Sequence, residues 1–226
     1  MVQRLVVSAL IAGFGAGLIA ALLQLIFVQP VLLHAELFES GALTHFGAQA
    51  TAAVVDVPRF DPLRDILSIV FTALIYTGYG LIMLAAMSFA EERGTPITPR
   101  AGILWGAAGF VAAQLAPAFG LAPELPGMNA ADVTLRQIWW FATVAATATA
   151  LWLVAFGKNW AMWGTAIILL GAPHLIGAPM PDTMTGPAPS ELAAEFASRA
   201  LGTGLAAWVA LGMLLGTVWN SKLADI

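Results

Sequence analysis

The sequence predicts an all-α, polytopic integral membrane protein: a six-helix transmembrane bundle with a short, broken fifth helix. Three observations predict it. Six apolar stretches account for most of the 226 residues. Apolar residues make up 60% of the chain and charged residues 10%, against roughly 45–50% and 25% in soluble domains. The prolines and charges that remain gather between the apolar stretches. A bilayer core is ~30 Å thick and takes about 20 helical residues to cross. The run from Leu5 to Val28 has that length, with Gln24 as its only strongly polar side chain.

The whole chain, 1–226, reads as a single transmembrane domain. Helix one is expected over 5–28, stopping near Pro30 because the residue before a proline is pushed out of the helical region. It is too long for a signal-peptide core and lacks a small-residue cleavage site, so it reads as an uncleaved helix that also directs insertion. The connection 31–64 offers a short interfacial helix from Val31 to Leu43, then Pro58 and Pro62. Helix two is expected over 65–90, ended by Glu91-Glu92-Arg93-Gly94, and helix three over 100–116, kinked or ended by Pro117. Pro117, Pro123, Pro126 and Gly127 make the next connection irregular but stiff. Helix four is expected over 132–157. Helix five, 159–172, spans only about 21 Å before Pro173 interrupts it. Helix six is expected over 191–219. Gly13/Gly17, Gly102/Gly106 and Gly212/Gly216 are GxxxG pairs, which let helix backbones approach closely in lipid.

Basic residues set the expected orientation. With both termini cytoplasmic, Arg4, Arg93, Arg100, Lys158 and Lys222 lie inside, and Arg59, Arg64, Arg136 and Arg199 outside. Ten of the thirteen carboxylates then face outward: Glu36, Glu39, Asp56, Asp61, Asp65, Glu124, Asp132, Asp182, Glu191 and Glu195. Such a negative mouth concentrates cations.

Absences narrow the chemistry. Without cysteine there are no disulfides and no thiolate metal sites. Neither a Walker lysine motif nor HExxH occurs, and the reading is a non-enzyme. The helix centres hold no Asp, Glu, Lys or Arg, so no conventional buried proton relay is visible.

The histidines are the chemically distinctive residues. His34, Glu36 and Glu39 fall within six positions, with His45 beyond them. Imidazole and carboxylate together suit divalent transition ions, although a turn with solvated charges would look the same. His174 follows Pro173 at the end of the short helix. Irregular backbone at membrane depth is tolerated only where it is buried in protein or lines a cavity, so Pro173 and His174 read as an ion site. The alternative is a histidine bonded to a nearby carbonyl. Gln24, Gln29 and Gln114 serve either an ion path or helix packing, where interhelical hydrogen bonds average only ~0.6 kcal/mol.

Four segments carry a family resemblance: QLIFVQPVLLHAELFE at 24–39, QLAPAFGLAPELPG at 114–127, RQIWWFATVAATA at 136–148, and PHLIGAP at 173–179 before the Glu-bearing start of helix six. In this order the chain resembles the CbtA family of cobalt transporter subunits. The resemblance implies a membrane component of a cobalt importer feeding cobalamin use, in the inner membrane of a bacterium. It implies a second component of the same cobalt transporter as partner, a small single-helix protein with a histidine-rich end. No permanently bound cofactor is expected; the divalent metal, cobalt, is the transported substrate. The residues alone do not select cobalt over nickel or zinc. They also leave open a non-transporting scaffold or accessory protein packed against a larger membrane complex.

Overall fold

A computed structural model describes residues 2–45 and 61–221. Among them the chain is helical throughout its ordered elements, with no strand. The helices are α1 (Val2–Glu39), α2 (Pro62–Glu91), α3 (Pro99–Ala118), α4 (Val133–Phe156), α5 (Trp160–Ile176) and α6 (Ser190–Trp219). Five are long and apolar enough to cross a membrane, and α5 is a shorter apolar helix. This is a polytopic membrane protein. Of the polar residues assigned to the outer face, Asp56 and Arg59 lie outside the described residues, as does Lys222 on the inner face.

The helix starts follow from their capping residues. Asp61 accepts from the Arg64 amide at 2.9 Å, with Pro62 in the first turn. Asp132 accepts from Thr134 and Leu135, each at 3.0 Å. Asn159 accepts from Met162 at 2.9 Å. Each side chain satisfies amides that the first turn leaves without partners. Gly94 and Gly177, with φ of 91° and 87°, stand just beyond the ends of α2 and α5.

Three prolines behave differently from the expectation. Helix one does not stop at Pro30; it runs on to Glu39 and absorbs the expected interfacial helix. Gln24–Val28 forms a π-helical turn, closed by the Gln29 amide on the Gln24 carbonyl. In α3 a second π turn, Val111–Leu115, lets the helix pass Pro117 and reach Ala118. Each π turn begins six residues before its proline. A proline ring clashes with the carbonyl four residues earlier, and here that carbonyl (Ile26 or Ala113) lies within the wider turn. The fifth helix also continues through Pro173 to Ile176. Its 17 residues still span only about 25 Å. The rule that proline ends a helix holds where water can take the freed carbonyls. In hydrocarbon, local π adjustment is the less costly outcome.

The described residues fall into two compact units. Unit 1 draws on Met1–Pro30, Pro58–Phe110 and Gly202–Ile226, and unit 2 on Val31–Val57 and Val111–Leu201.

Unit 1 is built on backbone contact. Gly13 meets Thr77, and Gly17 meets Ala73. In a second antiparallel crossing, Thr98 meets Gly216, Gly102 meets Gly212, and Gly106 meets the Trp208 carbonyl. Successive contacts step by four residues on each helix, the repeat of one helix face. All three GxxxG pairs therefore serve close helix approach. Tyr79 stacks on Trp208 with centroids 4.7 Å apart, and Tyr76 lies 6.3 Å from the same ring. At one end Arg4 lies over the Trp219 ring at 4.7 Å, and Asn220 donates to the Ile97 carbonyl at 2.6 Å.

Unit 2 has a small apolar centre of Val31, Ala35, Leu125, Ala188 and Leu192, with Phe38, Met128 and Phe196 packed on it. The end of α1 is thereby seated on the two proline-rich connections and the start of α6. Elsewhere in the unit α4 packs along α5 and against the π turn of α3.

The glycine contacts give a direct test. A Cβ at Gly102 or Gly212 would overlap the facing backbone, whereas one at Gly171 meets nothing within 4 Å. Gly102→Ala and Gly212→Ala should each cost about 1–3 kcal/mol through forced separation, read as a clear fall in Tm in detergent. Gly171→Ala should be neutral or stabilising by up to ~1 kcal/mol.

Candidate functional site

Unit 2 holds all three histidines. It also holds Glu36, Glu39, Glu124, Asp132, Asp182, Glu191 and Glu195, against Arg136, Lys158 and Arg199. Arg136 pairs with Glu124 at 2.7 Å, and Arg199 pairs with Glu195 one turn before it on α6. The remaining carboxylates leave this unit with an acidic excess at its helix ends and connections.

On α1, Val31 and Ala35 face the apolar centre, which turns His34, Glu36 and Glu39 outward, all exposed. The His34 ring lies 5.5 Å from Phe38, one turn on. Glu36 lies two residues from His34, which on a helix points it to nearly the opposite side. The stem of Glu39 lies where Gly127 and Pro187 meet, and a Cβ at Gly127 would come within 3.1 Å of it. Gly127 has φ 74°, the left-handed conformation that glycine supplies at least cost. Among the described residues no three His, Asp or Glu side chains stand close enough together to hold a metal ion.

The two connections are tied together by Asn129. Its side chain donates to the Thr185 hydroxyl at 2.8 Å and the Thr183 hydroxyl at 3.1 Å, and its amide donates to the Thr185 carbonyl at 3.0 Å. Beside this junction lies a concavity of about 310 Å³, lined by Asn129, Asp132, Met180, Asp182 and Thr183 among others.

His174 occupies the last turn of α5 and is exposed. Its ring meets Phe119 edge-on at 5.6 Å and Trp139 at 6.2 Å. Trp139 is buried and donates to the Pro173 carbonyl at 3.2 Å, a carbonyl that also accepts from the Gly177 amide at 3.1 Å. Opposite, a Cβ at Gly120 would strike the Trp139 ring and Ala178. The turn after Pro117, the Trp139 ring and the end of α5 thus form one packed cluster, with the imidazole at its edge. Pro173 has no amide hydrogen, so the Leu169 carbonyl loses its helical donor.

The glutamines divide. Gln24 is exposed within the first π turn. Gln29 is buried and donates to Asp65 at 2.9 Å within unit 1. Asp65 is 5% exposed, and it also accepts from Arg64 Nε at 2.9 Å and from the Asp61 amide at 3.2 Å. With both oxygens engaged by donors and a guanidinium beside it, this carboxylate fastens α2 to α1 and has little to offer a cation. Gln114 lies in the second π turn, and its Oε1 is buried with no hydrogen-bond partner among the described residues.

Sequence reasoning missed two polar positions. Asp65 counted only as one more outer carboxylate; its place in the first turn of a helix, beside Arg64, was the available signal. Thr147, fully buried on α4, is not singled out at all. Nothing in its neighbourhood, a run of Ala and Thr, sets it apart from Thr143 or Thr149.

The comparisons with known proteins come down on one family. No curated protein and no solved structure matches the chain. The model for the family described as "Probable cobalt transporter subunit (CbtA)" matches residues 2–220. With nearly its full length matched, the chain belongs to the CbtA family of probable cobalt transporter subunits.

Proposed function

We propose that this chain is the membrane-embedded component of a cobalt uptake transporter that supplies cobalamin use. It would sit in the inner membrane of a bacterium with both termini in the cytoplasm. Its partner would be a small single-helix protein with a histidine-rich end. The observation that carries the reading, beside family membership, is the segregation of every histidine into one unit with an acidic excess.

In this reading His34, Glu36 and Glu39 capture hydrated cations one or two ligands at a time. Their outward placement, with His34 nearly opposite Glu36, suits a weak site that exchanges quickly. A histidine-rich partner end would complete the ligand set there. His174 then takes the ion at the end of α5, giving one nitrogen donor. Carbonyl oxygen near Leu169 and retained water fill other positions, a mixed set suited to cobalt, nickel or zinc. Gln24, Gln114 and Pro173 belong to the same proposed path, and Gln29 to packing.

Two measurements test this. His174→Ala should abolish cobalt uptake while membrane expression stays intact, and the triple alanine variant of His34, Glu36 and Glu39 should lower uptake chiefly at low metal. Normal uptake by the His174 variant would move the path elsewhere and favour an accessory, non-transporting role. For orientation, single cysteines replacing Asp182 and Gly94, both exposed, should label from the outside and the inside of the cell respectively. The reverse pattern would refute the proposed topology.

A further inference from the structure

Thr147 departs from four other threonines of these helices. Thr77, Thr143, Thr165 and Thr217 each donate to the carbonyl four residues back, at 2.8 to 2.9 Å. That bond is the least costly way to bury a hydroxyl in a helix. Thr147 is 1% exposed, yet its Oγ1 has no partner among the described residues. Leaving a buried polar group unpaired is costly, and the cost rises in a bilayer, where no bulk water can relieve it.

A second unpaired oxygen lies on a neighbouring element. Gln114 belongs to the π turn Val111–Leu115, which packs against α4, and its Oε1 is also buried and unpaired. The π turn is itself an irregular insertion in an otherwise α-helical segment. Insertions of this kind are frequent at functional sites. Among the described residues the other unpaired buried side-chain oxygens, Ser8 and Ser88, belong to unit 1 and to a different pair of helices.

The place of this pair gives it a role. Trp139, Thr143, Thr147 and Ala150 are all buried and recur at helical spacing, so they share one face of α4. Trp139 carries the His174 contact. Thr147 lies eight residues further along, about 12 Å deeper.

We propose that Gln114 and Thr147 form an inner station for the transported ion, a divalent transition-metal cation that keeps part of its water shell. The proposal rests on the transport reading above and extends it inward from His174. The donors are neutral oxygens. They cannot cancel a double charge, so the ion retains water and is held weakly. Weak holding is what an intermediate station requires, since an ion bound too well would not leave.

The test uses the full chain, with Thr147→Val, Gln114→Leu, the double variant, and Ser88→Ala as a control. Two readouts are taken: cobalt uptake, and the Tm of the purified chain with and without cobalt chloride. Each single variant should lower uptake about tenfold, the factor carried by one lost polar ligand. The double variant should be little worse than either single, because the two oxygens serve one ion. The cobalt-induced rise in Tm should shrink in all three, while without metal Thr147→Val should melt no earlier than the natural chain. Thr147→Ser should keep uptake, and Ser88→Ala should change nothing. Unchanged uptake in the Thr147 and Gln114 variants, with the natural chain transporting, would overturn the station alone. A Thr147→Val chain that melts earlier would assign the hydroxyl to packing and overturn it too. Absence of uptake by the natural chain would instead refute the transport reading itself.

Discussion

Hydrocarbon offers a polypeptide no hydrogen bonds, and most of this structure follows from that constraint. Every amide and carbonyl of a crossing segment must be satisfied within the protein. The chain nevertheless places Pro30, Pro117 and Pro173 inside three of its helices. It meets the conflict in two ways. Pro30 and Pro117 each follow a π turn, which widens the helix where the ring would clash. Pro173 lies in the short helix close to its end, with its carbonyl shared by Trp139 and Gly177. The irregular backbone of the membrane helices is therefore concentrated at a few places, and two of them, the second π turn and the end of α5, belong to unit 2.

The two units divide the physical tasks. Unit 1 uses its glycines for backbone contact and buries its one membrane-entry carboxylate under three donors. Such an arrangement stiffens; it gives a cation no ligand. Unit 2 keeps its histidines and most carboxylates exposed on helix ends and on two proline-rich connections locked by Asn129. Fixed connections hold a polar surface in place without burying it. That combination suits handling a hydrated ion, which must be met by donors and then released.

Much of the fold was legible in the sequence, because the bilayer fixes helix length and the apolar runs show it directly. The GxxxG pairs were legible for a similar reason: without a hydrophobic drive between helices, close approach needs small residues. The ends of α1, α3 and α5 were not legible. Proline read as a stop signal, a rule learned from helices with water nearby, and whether a π turn forms depends on neighbours that one sequence does not display. The histidines stood out by scarcity alone. Their spacing suggested that His34, Glu36 and Glu39 act together, but two-residue spacing on a helix sets His34 nearly opposite Glu36, and all three side chains are exposed. Thr147 could not have been found from sequence, since what marks it is a missing bond.

The central claim is that this chain moves a divalent metal into the cell. Cobalt accumulation by the native cells, with the coding sequence intact and deleted, tests it most directly, because any natural partner is then present. The account predicts saturable accumulation at low external cobalt that is lost on deletion and restored by returning the gene. Equal accumulation by intact and deleted cells across the whole concentration range, with the intact protein present in the membrane, would contradict it.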